Sequence, residues 1–305
     1  MRTVLLAGSE SRWLRENATR RRFVRRAVAR FMPGETLDDA LSAAAALGAS
    51  GLGAVLSRLG EHVSGEAEAD EVASHYLHLL EVAAGRGVEV SVKPTLLGLA
   101  QDEEACARRL LAIAARAEAA GSYLWIDMEQ TAFTDATLRL CRRARERHRA
   151  VGVCLQSYLR RTGADLEALL PTGAGVRLVK GAYHEPVDRA FARKVEVDAS
   201  FLALARRLLD AAARGSGVRT AMGTHDRRMI DEVGAEVGRR GLPRAAAEFH
   251  LLFGIQRGEQ QRLAGEGWPV RVLVSYGSHW FPWYMRRLAE RPANVWFVAR
   301  SLVAR

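Results

Sequence analysis

Short apolar runs rich in Val, Leu and Ile recur along the chain, each followed by a longer Ala/Arg/Glu/Leu stretch of helical character. The runs predict strands at Leu52–Leu59, Val88–Lys93, Tyr123–Met128, Val151–Leu155, Val176–Lys180, Arg219–Gly223, Glu248–Leu252 and Val270–Val274. Between them lie helical segments such as "DEEACARRLLAIAARAEAAG" and "ASFLALARRLLDAAARG". A strand followed by a helix, repeated about eight times, requires parallel pairing. Eight such units in roughly 250 residues match the size of a (β/α)8 TIM-type barrel, with a doubly wound open sheet as the second choice. Residues 1–47 read as a helical arm packed outside a barrel formed by 48–305. No Pro/Gly/Ser linker divides the chain, so a single domain over 1–305 is expected.

Composition narrows the classes. The chain has 305 residues, 49% of them hydrophobic, enough for a substantial core. No run of about 20 apolar residues is present, which argues against a transmembrane helix, and the opening "MRTVLLAGSESRWLREN" is too short in apolar residues for a secretory signal. Cys106, Cys141 and Cys154 are scattered, without metal-ligand spacing. They suggest reduced thiols in a cytoplasmic protein and no metal site. The net charge of +10 invites a nucleic-acid reading. Much of the excess is arginine on helical segments such as "RENATRRRFVRRAVAR", and there is neither zinc-finger spacing nor an aromatic-interleaved basic strand. Nucleic acid is therefore not expected. Weak, peripheral attraction to an anionic membrane surface suits the charge better, and a non-catalytic basic binding protein is the alternative from a different class.

The barrel sorts the polar residues, because strand C-termini line the active site of this fold. Lys93 ends "VEVSVK"; Asp127 and Glu129 close "YLWIDME", two apart and so expected on one side of a strand. Gln156 follows "VGVCLQ", Arg177 and Lys180 flank "RLVKGAY", and Thr224, His225 and Asp226 follow "RTAMG". Gly181 permits close backbone approach to a ligand. Each has a bland counterpart: a snorkelling lysine, a salt-bridge network, a helix cap. Toward the C-terminus, Trp283, Arg286, Arg287 and Glu290 fall three or four apart and can share a helix face. Two guanidiniums there fit either a solvated basic edge or a clamp on a carboxylate, which the arginine fork matches with parallel hydrogen bonds.

Together, "VSVKPTLLGL", "LWIDMEQ", "GVCLQSYLRRTGADL", "RLVKGAYHEP", "GTHD", "EFHLLFGIQ" and "YGSHWFPWYMRRLAERPANVWFVARSLV" resemble the proline dehydrogenase family, flavin-dependent barrel enzymes of proline catabolism. The resemblance implies a distorted (β/α)8 barrel holding FAD non-covalently. It implies oxidation of L-proline to 1-pyrroline-5-carboxylate by hydride transfer to the flavin, with a quinone as electron acceptor. By position, Arg177 would sit at the reactive edge of the flavin, Gln156 would hydrogen-bond the ring and Met128 would touch it. Val179, Lys180, Gly181 and Ala182 would bind the cofactor, with Thr224 and His225 further along it. Lys93, Arg286 and Arg287 would hold the substrate carboxylate and Asp127 would orient that clamp. Glu290, grouped with the cofactor-side residues, would support the arginine helix. Tyr183 and Leu178 would wall the substrate pocket.

Three positions depart from the family's usual pattern. Leu273 stands where a tyrosine is usual on the last strand, Trp283 where an aromatic hydroxyl precedes the first clamp arginine, and His184 where Lys or Trp is common. Leu273 and Trp283 therefore alter the wall facing the substrate ring while the carboxylate clamp is kept. This admits a paralogue acting on another cyclic amino acid, such as a hydroxylated or substituted proline or pipecolate, in a biosynthetic pathway. The sequence ends soon after the arginine helix, so a separate pyrroline-5-carboxylate dehydrogenase is expected to take the product.

Overall fold

The computed structural model describes residues 28–60 and 63–281. Eight strands alternate with helices: α1 Leu37–Ala49, β1 Gly53–Arg58, α2 Glu66–Val82, β2 Val88–Val92, α3 Glu103–Ala119, β3 Leu124–Ile126, α4 Thr134–Arg145, β4 Val151–Gln156 and α5 Thr162–Leu169. The chain continues through β5 Gly175–Val179, α6 Lys194–Ala213, β6 Thr220–Gly223, α7 Arg227–Arg239, β7 Glu248–Leu252, α8 Arg257–Gly265 and β8 Val270–Tyr276. Neighbouring strands pair in sequence order, and β8 closes onto β1, giving a closed parallel barrel. All eight expected strands are present. The largest difference is β3, which stops at Ile126, so Asp127, Met128 and Glu129 belong to the following loop. Thr36 caps α1 through a reciprocal bond with Asp39, and the buried face of α1 joins the core around the barrel.

Alternation along each strand decides what faces the barrel axis. Leu155, Val176, Leu178 and Met222 turn outward, into the core shared with Phe201, Leu204 and Leu208 of α6. Val55, Trp125 and Ala221 turn inward, with Tyr123 and Leu273 beside them. The two large aromatics fit because β4 and β5 carry glycines opposite them. A Cβ on Gly152 would stand 2.7 Å from the Trp125 ring, and one on Gly175 2.2 Å from the Tyr123 hydroxyl.

The closed end of the barrel is charged. Arg219 reaches Glu89 at 2.7 Å and pairs with Glu248, while Arg271 lies 3.0 Å from Glu89. Trp125 Nε1 donates to Glu89 at 2.8 Å. Arg219 also lies over the rings of Tyr123 and Trp125. Burial works against the charge on Glu248, but the Arg219 guanidinium paired with it outweighs burial and holds the carboxyl well below the usual range. This floor fixes the large rings and leaves the opposite end open.

Candidate active site

At the C-terminal ends of β3 to β8 lies a cavity of about 480 Å³, within the range of small-molecule sites. Of the residues singled out in the sequence, Asp127, Met128, Gln156, Arg177, Val179, Lys180, Gly181, Ala182, Tyr183, Thr224, His225 and Leu273 all line it.

Its centre is Arg177, on the inward face of β5 and only 4% exposed. Its guanidinium pairs with Asp127, donates to Ser91 Oγ at 2.7 Å, and lies 5.3 Å from the Trp125 ring centre. Ser91 in turn donates to Asp127 Oδ1 at 2.8 Å, closing a triangle across β2, β5 and the loop after β3. Burial opposes the charge, but the Cys154 sulfur and the Asp127 carboxylate raise the arginine above its ordinary pKa. The Cys154 thiol, 2.8 Å from Arg177 Nε, is pushed up to about 11 by burial and is neutral at physiological pH.

Gln156 ends β4 on the inward face. Its Nε2 donates to the carbonyls of Met128 and Glu129, at 3.0 Å each. That fixes the amide orientation and turns Oε1 away from the loop. Among the described residues, Gln156 Oε1 and Arg177 Nη1 are buried without a hydrogen bond. One is an acceptor, the other a donor, and both belong to residues of the same cavity wall. Buried polar atoms are rarely left bare unless a ligand or water completes them.

The far side of the cavity is built on the loops after β5 and β6. Gly181 has φ +112°, and a Cβ there would come within 2.2 Å of the Tyr158 ring, so only glycine suits this wall. Lys180 is held by Asp198 of α6 and by Asp226, the latter at 2.6 Å. Burial opposes ionisation of Asp226, but Lys180 and Lys194 bring it down to about 2. The backbone N–H of Leu252 donates to His225 Nε2 at 3.1 Å. The neutral imidazole therefore carries its proton on Nδ1.

Two expectations change. Leu178, expected to wall the pocket, is fully buried among the helices outside the barrel, because Arg177 and Val179 take the inward phase of β5. Asp127 and Glu129 do not share a strand face. Beyond the end of β3, Glu129 turns back to accept from Thr95 N at 3.0 Å and from Thr95 Oγ1. Lys93 follows β2, with Nζ 3.4 Å from the Gly60 carbonyl, outside the residues that line the cavity. Trp283, Arg286, Arg287 and Glu290 lie outside the described residues. Sequence reasoning passed over Cys154, His250 and Leu252, which also line the cavity. Cys154, His250 and Leu252 each stand two residues from a neighbour on the same inward phase, a spacing that could have found them.

The proline dehydrogenase family model matches residues 40–300. The chain is 36% identical over 284 residues to proline dehydrogenase from Deinococcus radiodurans, covering 90% of this chain and 89% of that one. It is 35% identical over 276 residues to proline dehydrogenase 1 from Bacillus subtilis, covering 90% of each. Among solved structures, proline utilization A (PutA) from Bdellovibrio bacteriovorus superposes with a TM-score of 0.82 at 23% identity, over 88% of this chain and 33% of that larger one. That likeness concerns the barrel. The match to the family model, joined to two relatives aligned over nearly their whole lengths, settles the assignment: the chain belongs to the proline dehydrogenase family of CH–NH oxidoreductases.

Proposed function

We propose that the protein oxidises L-proline to 1-pyrroline-5-carboxylate with FAD held non-covalently in the cavity, and that the electrons pass on to a quinone. The supporting observation is the pair of bare buried atoms, Gln156 Oε1 and Arg177 Nη1, in one cavity. An acceptor and a donor with fixed orientations suit the edge of a flat heteroaromatic ring bearing both N–H and C=O groups. The Gly181 wall, which a side chain would block, allows the backbone to approach such a ring closely.

When bound, the flavin supplies the acceptor for the hydride that leaves the ring carbon next to nitrogen. The chain's own residues bind and orient. Lys93, Arg286 and Arg287 hold the substrate carboxylate, each charge-assisted hydrogen bond contributing roughly 1.5–3 kcal/mol. Asp127, fixed by Arg177 and Ser91, orients that clamp from the mouth of β3. Arg177 keeps a positive charge against the cofactor and favours electron density arriving there. Val179, Lys180 and Ala182 line the cofactor side, and Thr224 and His225 hold its further part. Tyr183, Leu273 and Trp283 wall the substrate. The ring loses a hydride from carbon and a proton from nitrogen, so two electrons leave with the hydride and an imine remains.

The acceptor and the downstream step are part of the same proposal. A quinone takes the two electrons, and a separate pyrroline-5-carboxylate dehydrogenase takes the product. No helix among the described residues is long and apolar enough to cross a membrane. With a net charge of +10, peripheral attraction to an anionic bilayer would bring the protein to a quinone pool. The test is cofactor uptake. The protein should take up FAD at one per chain, and Gln156→Leu should weaken that uptake by roughly tenfold for the lost hydrogen bond. A correctly folded barrel that takes up no FAD refutes the proposal.

A further inference from the structure

Cys154 lines the cavity, yet the proposed oxidation gives it no task. It lies on the inward face of β4, is 5% exposed, and the strand register sets it directly beside Arg177 of β5. Its thiol makes two contacts of opposite sense. The sulfur accepts from Arg177 Nε at 2.8 Å, and the S–H, kept protonated at neutral pH by burial, donates to Asp127 Oδ1 at 3.8 Å. Ser91 bridges the same two residues from β2, accepting from Arg177 Nη2 at 2.7 Å and donating to Asp127 Oδ1 at 2.8 Å. The Arg177–Asp127 pair is thus bridged twice, once by a hydroxyl and once by a thiol.

A guanidinium is a planar fork with five N–H groups. Cys154 takes the one on Nε, and Ser91 and Asp127 take the two on Nη2. With two corners of the plane fixed, the direction of the third, Nη1, is fixed as well. Nη1 is buried without a hydrogen bond in a residue only 4% exposed, and Gln156 Oε1, two residues beyond Cys154 on the same face of β4, is bare too. Bare buried atoms on one cavity wall point to a ligand that completes them. With an aliphatic side chain at position 154, the Nε–H would also be bare, and the fork would turn to satisfy it at the expense of Nη1. A carboxylate there would hold the fork but cancel its charge. A neutral thiol holds the fork and leaves the charge in place.

We infer that Cys154 is a positioning residue for the flavin reaction: by bridging Arg177 and Asp127 it aims Arg177 Nη1 at the cofactor and so raises the reduction potential of bound FAD. This role rests on the FAD-dependent oxidation proposed above.

The test compares wild type, Cys154→Val and Cys154→Ser. Valine fills a similar volume and makes neither contact. Serine can make both, with Oγ in reach of the about 2.7–3.2 Å of an N–H···O bond. The first readout is the midpoint potential of bound FAD, measured anaerobically by equilibration with a reference dye. Cys154→Val should weaken binding of reduced relative to oxidised FAD about tenfold, which lowers the potential by about 30 mV for a two-electron couple. Cys154→Ser should restore most of that shift. The second readout is rapid-mixing reduction by L-proline. Its limiting rate should fall about tenfold in Cys154→Val, while the half-saturating concentration changes by less than about twofold. Should Cys154→Val not fold, Cys154→Ala, which also lacks both contacts, takes its place in the same measurements. A potential that the valine variant leaves unchanged overturns the inference, because Arg177 is then held without the sulfur. A potential lowered alike in the valine and serine variants overturns it too, because the contacts are then irrelevant. In either case normal FAD uptake leaves the oxidation proposal standing. Folded wild type that takes up no FAD removes the oxidation proposal and this role with it.

Discussion

Removing the carboxylate of Asp127 should cost the fold more than any surface ion pair, because it strands a charge. Arg177 is 4% exposed, and among the described residues Asp127 is the one carboxylate paired with it. Breaking a buried pair by deleting one partner typically costs about 3–5 kcal/mol. Arg177 would keep Ser91 Oγ at 2.7 Å and the Cys154 sulfur at 2.8 Å, and Asp127 itself is 18% exposed, so the low end applies. Asp127→Ala should therefore lose about 3 kcal/mol, near 5 °C in melting temperature for a chain of this size. The informative comparison is the double variant. Arg177→Met removes the stranded charge, so Asp127→Ala with Arg177→Met should be less destabilised than the sum of the singles by about 2 kcal/mol, read by urea denaturation monitored by circular dichroism. Additivity within about 0.5 kcal/mol would show that the pair does not hold the mouth of β3 to β5 together.

Gly181→Ala places a Cβ 2.2 Å from the Tyr158 ring at φ +112°, and should cost about 1–3 kcal/mol and lower the FAD content of purified protein; normal FAD content would show that the loop is not part of the cofactor wall. His75, whose Nε2 lies 2.7 Å from the Tyr276 hydroxyl, is depressed to about 4, chiefly by burial. The unfolded chain takes that proton first, so the stability tied to neutral His75 is complete above its ordinary value of 6.5 and is lost as pH falls toward 4. Melting temperatures at pH 7 and pH 5 should accordingly differ less in His75→Gln than in wild type, and identical slopes would discount the effect. Glu248, held below the usual carboxylate range, contributes stability that is present above its ordinary value of 4.5 and lost on acidification. Glu248→Gln should be less stable at neutral pH and should flatten the acid limb of the unfolding curve.

The eight strands were legible because each is an apolar run bounded by turn residues and followed by a helical segment, and that alternation admits few closed arrangements. The short β3 was not, because Asp127 and Met128 continue an alternating pattern that only the loop bonds of Glu129 to Thr95 reveal as broken. At the site, the residues at strand ends were found by position in the barrel. Leu178 was placed in the pocket wall by the family resemblance, whereas the alternation along β5 sets it opposite to Arg177 and Val179 and so outside the barrel. The triangle of Ser91, Asp127 and Arg177 joins β2, β5 and the loop after β3, a contact that no local pattern encodes. Cys154 and His250 carry no motif, and only closure of the barrel shows them facing the cavity.

The most direct measurement is anaerobic titration of the FAD-loaded protein with L-proline, followed by the flavin's visible absorbance. Addition of the amino acid should bleach the flavin completely, with one ring oxidised per cofactor, and Arg286→Ala or Arg287→Ala should raise the concentration needed by roughly tenfold or more without releasing FAD. A folded, flavin-loaded protein whose absorbance is unchanged by proline and by every related ring amino acid would contradict the proposed oxidation.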